Sequence, residues 1–125
     1  MQNIFIVSAA ISGFLSVALG AFGAHALKDT LDSYGHSVYN KAVLYQMFHT
    51  LALLGVALLQ NHFKDLNLSP AGYAFIIGII LFSGSLYILA ISGIKILGAV
   101  TPFGGLAFLF GWGWLAVQFI RNNAA

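Results

Sequence analysis

The sequence contains no cysteine and very little charge. Its 125 residues include five Lys or Arg and three Asp or Glu, so that 6% are charged, against about 25% in ordinary soluble domains. The absence of cysteine excludes disulfides, thiolate metal sites and cysteine nucleophiles, and leaves the redox compartment open. A net charge of +2 is too small for an electrostatic nucleic-acid binder. So few charges cannot cover a globule of this length, which excludes a soluble monomer.

Long uncharged runs take the place of charge. Hydrophobic residues make up 60% of the chain, and the mean hydropathy is +0.93. The charged residues separate four uncharged runs of 22 to 29 residues, and each exceeds the roughly 20 residues needed to cross a bilayer. Residues 51–59 and 75–82 are apolar on all sides, unlike the amphipathic helices of a soluble bundle. The sequence therefore predicts an all-α integral membrane four-helix bundle. It forms one domain over 1–125, with spans at about 4–27, 41–62, 70–94 and 102–121.

Local signals mark the ends of these spans. The Ser-Pro pair at 69–70 and the Thr-Pro pair at 101–102 each place a capping hydroxyl before a proline, which favours a helix start. After the first span, the apolar residues of 27–34 fall on one face, opposite charged and polar ones. This pattern predicts a short amphipathic turn at the membrane interface, ended by Gly35. An even number of spans places both termini on the same side. Lys and Arg are too evenly divided between the two sides to set the orientation.

Small residues recur at four-residue spacing in the first and last spans. Helices in lipid associate through close packing, so such residues mark contact faces. They are Ser12, Ser16, Gly20 and Ala24 in the first span and Ala107 and Gly111 in the last. Packing within the chain is the simpler interpretation, and a homo-oligomer or a larger membrane complex is the alternative; membrane lipids are the expected partners. Trp112 and Trp114 lie toward the end of the last span, as aromatic residues at a membrane interface do.

Polar side chains concentrate in the half of the bundle nearest the 28–41 connection and Lys95, which is termed the B side. An unpaired amide or imidazole in hydrocarbon costs several kcal/mol, so we expect Gln46 and His49 to point inwards and His49 to be uncharged. Two interpretations stay open. The cluster either clamps the helices through hydrogen bonds or lines a ligand or ion site in a cavity open toward the B side. Its members are His25, Tyr45, Gln46, His49, Ser83, Ser85 and Tyr87.

Catalytic and metal-binding patterns are missing from the spans. Only His25 and His49 could meet inside the bundle, and two imidazoles without a carboxylate or thiolate do not complete a zinc site. The Ser83–Ser85 segment lacks the G-x-S-x-G context of a nucleophile, and no acidic residue lies in a span to orient a histidine. The same absence disfavours proton-driven transport. We therefore expect no metal, no cofactor and no enzymatic activity.

Four strings occur together and in order along the chain. They are GAFGAHAL at 20–27, YQ followed by HTLAL within 45–53, FSGSLY at 82–87 and GAVTPFGG at 98–105. The set resembles the YgdD/YwdK family of small bacterial inner-membrane proteins, catalogued as domain of unknown function 423, to which animal transmembrane protein 256 is similar. The resemblance covers nearly the whole chain and implies a multi-pass protein of the bacterial inner membrane with an undefined biochemical role. It supplies no catalytic residues, but its motifs add Thr101 to the polar cluster.

The leading functional hypothesis is a non-enzymatic structural, accessory or lipid-interacting subunit. It follows from a membrane bundle rich in small residues without a complete catalytic or ion-coupling set. The alternative is a small-molecule or lipid carrier that uses a half-depth polar cavity around His25, Gln46 and His49.

Overall fold

The chain forms an all-helical bundle in the computed structural model, which describes residues 2–124. Its helices are α1 (Gln2–His25), α2 (Ser33–His62), α3 (Ser69–Gly78), α4 (Gly84–Ser92) and α5 (Thr101–Ala124). A π-helical segment, Ile79–Ser83, joins α3 and α4 into one span, and a 3₁₀ segment, Lys95–Ala99, precedes α5. Within residues 2–124, four spans of 23 to 30 residues are long and apolar enough to cross a membrane. The predicted four-span all-α fold is confirmed.

Neighbouring spans pack in sequence order. α1 packs on α2, α2 packs on the span that contains α3 and α4, and that span packs on α5. In the most apolar window of each span, 39% of the residues are buried in the second and third spans, against 17% in the first and last. The outer spans leave large apolar side chains exposed, such as Phe14 (74%) and Leu109 (69%). Exposed apolar surface is unfavourable in water, but it carries no such cost where it contacts the hydrocarbon of a membrane.

Two apolar cores lie at different depths of the bundle. One contains Phe5, Leu53 and Phe75 and lies in the half that holds the 63–68 loop. The other, around Ala42 and Leu86, lies toward the B side. Along α2, the buried polar residues Gln46, His49 and Thr50 lie between Ala42 of one core and Leu53 of the other, so the middle of the bundle is held by hydrogen bonds as well as by apolar packing.

The start of α2 differs from the predicted boundary. Residues 26–30 form hydrogen-bonded turns, but the helix begins at Ser33 instead of near residue 41, and Gly35 lies in its first turn. The reason is an N-cap, because Asp32 Oδ1 accepts a 2.7 Å hydrogen bond from the Gly35 backbone N–H and satisfies a donor of the first turn. The early start places His49 near the midpoint of α2.

The two prolines lie in the first turns of their helices. α3 begins at Ser69 and α5 at Thr101, one residue before each proline, where the missing N–H of proline costs no helical hydrogen bond. The predicted capping hydroxyls are used otherwise. α3 starts without a side-chain cap, and the Thr101 hydroxyl bonds to a neighbouring helix.

The contact face of α1 turns away from the predicted ribbon of small residues. Ser16 is fully buried and Ser12 half-buried against α2, whereas Gly20 is half-buried and Ala24 is exposed. A step of four residues advances about 400° around a helix, so each step drifts by about 40° and Ala24 points about 120° away from Ser12. The contact instead continues from Ser16 to Gly23, which is buried, because a step of seven residues drifts by only about 20°.

The contact face of α5 shows the same seven-residue relation, from Gly104 to Gly111. A Cβ added at Gly111 would lie 2.5 Å from the Phe75 ring, and one added at Gly104 would lie 2.3 Å from the backbone nitrogen of Phe82. Ala107 is half-buried between them. The two glycines therefore allow α5 to approach the third span more closely than any other residue would.

Candidate functional site

Gln46 links three helices at the centre of the bundle. Its Nε2 group donates to the Ser12 backbone oxygen (3.2 Å) and to Ser12 Oγ (3.3 Å) on α1. Its Oε1 atom accepts a 2.6 Å hydrogen bond from the Tyr87 hydroxyl on α4. The side chain is 4% exposed, so both ends of the amide are satisfied inside the protein, as burial requires.

Further hydrogen bonds extend this network along α1. Ser12 Oγ and Thr50 Oγ1 are 2.6 Å apart, and Ser16 Oγ donates to the Ser12 backbone oxygen at 2.8 Å. Toward the B side, the Tyr39 hydroxyl donates to a backbone oxygen of α1, and its ring lies edge-on to that of Tyr87 with centroids 5.1 Å apart. The network therefore fastens α1 to α2 over several turns.

Two serines of the third span make equivalent connections to other helices. Ser83 Oγ donates to the Ala42 backbone oxygen of α2 at 2.7 Å, and Ser85 Oγ lies 2.7 Å from Thr101 Oγ1 of α5. Ser83 is the last residue of the π-helical segment. In such a segment the backbone hydrogen bonds join residues five apart in the chain, and segments of this kind are frequent at functional sites. Both serine hydroxyls are engaged in structural contacts.

The side chain of His49 connects its own helix, α2, to α5. Its Nε2 atom accepts a 3.0 Å hydrogen bond from the indole N–H of Trp112, and its Nδ1 atom lies 2.9 Å from the Tyr45 backbone oxygen. An imidazole nitrogen that accepts carries no proton, so the proton of the neutral ring lies on Nδ1 and is donated to Tyr45. The ring also stacks on Phe108, with centroids 3.5 Å apart.

Trp112 is the partner that the sequence pattern does not indicate. It lies near the middle of α5, far from the interface at which its position toward the end of the predicted span suggested it. Trp114 reaches the 63–68 loop, where its indole N–H donates to the Asn67 backbone oxygen at 2.8 Å. An indole N–H within the hydrocarbon needs an acceptor, and a histidine in the same half of the bundle can offer an imidazole lone pair. That requirement is the signal from which the pairing could have been found.

An apolar cavity of about 800 Å³ lies beside this histidine, between α2 and α5. Phe82 and Phe108 belong to its inner wall, where Tyr45 and Phe82 pack with ring centroids 4.5 Å apart. Leu106 and Leu109 are well exposed, so the cavity opens on the lipid-facing surface. None of its lining side chains is charged. The lining residues are Leu44, Tyr45, Phe48, His49, Phe82, Pro102, Gly105, Leu106, Phe108, Leu109 and Trp112.

The predicted polar cavity around His25, Gln46 and His49 differs from what the structure contains. Only His49 lines the cavity, whereas Gln46 is enclosed in the hydrogen-bonded core. His25 is exposed at the end of α1, 13 residues (25 − 12) beyond the Ser12 contact of Gln46, or about 20 Å along the helix. The polar groups bond to one another because unpaired groups are costly in hydrocarbon, and the open space is left to aromatic and aliphatic side chains.

Metal-ligating groups do not gather in the part of the chain that the structure describes. No three His, Cys, Asp or Glu side chains within residues 2–124 come close enough to hold a metal ion.

Comparison with known proteins identifies relatives along nearly the full length. The family model described as "Protein of unknown function (DUF423)" matches residues 19–105. A UPF0382 membrane protein of Haemophilus influenzae is 45% identical over 127 residues, which cover 99% of both chains. The UPF0382 membrane protein YwdK of Bacillus subtilis is 42% identical over 121 residues, covering 96% of this chain and 98% of that protein. The UPF0382 inner membrane protein YgdD of Escherichia coli is 43% identical over 120 residues, covering 96% and 92%.

No solved structure matches this chain. The four apolar spans and the names of the relatives agree on a multi-pass protein of the inner membrane. None of the names or the family description states an activity. Since the family model matches more than half of the chain and the relatives exceed 40% identity over nearly all of it, the chain belongs to the DUF423 family of membrane proteins.

Proposed function

We propose that the protein is a non-enzymatic, lipid-interacting membrane protein that holds the apolar chain of a membrane lipid in the cavity between α2 and α5. The observation that carries this proposal is the cavity itself. Its volume of about 800 Å³ lies within the roughly 300–1,000 Å³ of typical small-molecule sites, which are also largely apolar and aromatic. Because it opens on the lipid-facing surface, the molecules with access to it are those dissolved in the bilayer.

The state of the polar groups supports a binding role over catalysis. A general base needs a free lone pair, and a nucleophile needs a base within hydrogen-bond reach. His49 uses both ring nitrogens in structural hydrogen bonds, and the hydroxyls of Ser83 and Ser85 bond to neighbouring helices. Among the side chains that line the cavity, none combines a nucleophile with an available base.

A carrier that works through a polar cavity has less support. Gln46 is sealed by hydrogen bonds and His25 lies outside the network, so the residues on which that hypothesis relied do not face one open space. A homo-oligomer or a larger membrane complex stays a prediction from the sequence.

Filling the cavity from Gly105 tests the lipid-binding proposal. A Cβ at Gly105 would meet only the Phe82 ring, at 4.0 Å, whereas one at Gly113 on the same helix meets nothing within 4 Å. Gly105→Leu therefore projects a side chain into the cavity, and Gly113→Leu is the matched control outside it. The measurement is the thermal unfolding temperature of delipidated protein in detergent, with and without added phospholipid.

The wild-type protein and Gly113→Leu should both be stabilised by lipid, since a ligand that binds only the folded state adds about 2.7 kcal/mol at a hundred times its dissociation constant. Gly105→Leu should show a much smaller lipid-induced shift. Lipid-induced shifts of equal size in Gly105→Leu and Gly113→Leu would contradict the proposal, as would the absence of any shift in the wild type.

A further inference from the structure

The cavity has the length of one membrane leaflet. Its wall on α5 runs from Pro102, in the first turn of that helix, to Trp112 near the middle. These ten residues (112 − 102) rise about 15 Å, which is half of the roughly 30 Å hydrocarbon core. A transmembrane helix of another protein would contact the full height of the bundle. A cavity confined to the B-side half instead matches a single lipid chain that enters from the B-side leaflet.

The hydroxyl of Tyr45 is a hydrogen-bond donor at the wall of this cavity. His49 and Trp112, the other polar lining residues, bond to each other. The Tyr45 ring packs on Phe82 and its side chain is 39% exposed. Its hydroxyl makes no hydrogen bond to any group within residues 2–124. A phenolic donor beside an apolar cavity suits a ligand that carries a carbonyl oxygen next to its apolar chain, as a lipid ester does.

Lys41 extends the same helix face toward the membrane surface. It lies four residues before Tyr45 in the continuous helix α2, and residues at this spacing are neighbours on one face. The lysine is exposed, and it has no ion-pair partner in the described part of the chain. Its ammonium group is therefore available one helical turn, about 5 Å, closer to the B side than Tyr45. In a phospholipid, the phosphate likewise lies closer to the membrane surface than the ester carbonyls, so Lys41 and Tyr45 follow the same order along the membrane normal.

We infer that the cavity selects an anionic phospholipid of the B-side leaflet. An acyl chain fills the cavity as far as Trp112, the Tyr45 hydroxyl donates to the ester carbonyl, and Lys41 contacts the phosphate, whose charge in an anionic lipid is not offset by a headgroup ammonium. This inference rests on the proposed lipid-binding function and adds the headgroup class and the leaflet. One lysine near an anionic headgroup is worth about a fivefold preference over a zwitterionic lipid. An isoprenoid quinone offers carbonyls but no phosphate, so the charge of Lys41 does not affect its binding.

Quenching of Trp112 by brominated lipids measures this preference directly. The chain contains two tryptophans, and Trp114→Phe leaves Trp112, which lines the cavity, as the single reporter. If that variant does not fold, Trp114→Tyr replaces it. The protein is reconstituted in bilayers that contain brominated phosphatidylglycerol or brominated phosphatidylcholine at equal mole fraction. The control for ordinary lipid contact is Phe14→Trp at an exposed position, combined with Trp112→Phe and Trp114→Phe.

The anionic lipid should occupy the site about five times more strongly than the zwitterionic one. Lys41→Gln should abolish this preference, and Lys64→Gln, a lysine in the loop on the opposite side, should preserve it. Tyr45→Phe should weaken quenching by both lipids. Retention of the preference in Lys41→Gln would overturn the inference, and so would equal quenching by both lipids in the wild type. Quenching of Trp112 no stronger than at position 14 would overturn the lipid-binding function itself, so the two failures are distinguishable.

Discussion

The approach of α5 to the main chain of the third span at Gly104 provides a test of the packing. A Cβ built at this position would lie 2.3 Å from the backbone nitrogen of Phe82 and 2.7 Å from its Cα atom. Both are main-chain atoms of the π-helical segment and cannot swing aside like the end of a flexible side chain. In Gly104→Ala, α5 must therefore move away from the third span by about 1 Å, the shortfall from an ordinary carbon contact of about 3.5 Å.

The expected cost follows from two opposing effects. Overpacking of this kind costs about 1–3 kcal/mol, and replacing glycine by alanine inside a helix recovers up to about 1 kcal/mol. The net loss should be about 1–2 kcal/mol, or a factor of about 5–30 in the folded-to-unfolded ratio. Gly113→Ala is the matched control in the same helix, because its Cβ meets nothing within 4 Å. Only the gain in helix propensity applies there.

Reversible unfolding in detergent mixtures, or steric trapping in lipid, provides the free energies for both variants. Gly104→Ala should be less stable than the wild type, and Gly113→Ala should be equal or slightly more stable. A Gly104→Ala variant as stable as Gly113→Ala would refute the close packing of α5 on the π-helical segment.

Three further predictions concern topology and the polar network. Single-cysteine reporters at the two ends of this cysteine-free chain should be labelled from the same side of sealed vesicles, and one within 26–32 from the other; ends on opposite sides would contradict the four-span fold. Gln46→Leu should lower the free energy of unfolding by about 1–3 kcal/mol, because it leaves buried hydrogen-bond partners unsatisfied. Tyr87→Phe should cost less in the Gln46→Leu background than in the wild type, since the effects of two hydrogen-bonded residues are not additive. Additive costs would contradict the hydrogen bond between Tyr87 and Gln46. ¹⁵N NMR should show the proton of His49 on Nδ1, and Trp112→Phe should allow the other tautomer; a proton on Nε2 in the wild type would contradict the Trp112 hydrogen bond.

Properties that depend on composition and length follow from the sequence alone. The absence of charge over four long runs determines that this chain spans a membrane four times, because hydrocarbon excludes unpaired charge wherever a run lies in the fold. The same cost predicts that Gln46 and His49 point inwards and find partners. It does not say which partners, since a hydrogen-bond requirement can be met by any group at the right height.

The helix boundaries were predictable only in part. Thr101 starts α5 as the Thr-Pro pair indicates, because proline acts through its own backbone. The start of α2 was misplaced because Asp32, a residue of the expected interfacial turn, serves as its N-cap. A cap of this kind is a local signal, and the sequence contained it. The charged residues near Asp32 favoured the interpretation of this segment as an interfacial turn.

Only the tertiary structure decided how the helices are rotated about their axes and which residues meet across them. Rotation turned Ala24 to the surface and brought Gly23 into contact, since the true contact face follows a seven-residue relation. Long-range pairing joined His49 to Trp112 and left Tyr45 at an apolar cavity, although depth alone grouped Tyr45 and His49 with Gln46 and His25. Depth in a membrane is a one-dimensional property of the chain and can be read from residue spacing. The direction in which a side chain points depends on neighbouring helices that are distant in sequence, and so does the space left between α2 and α5.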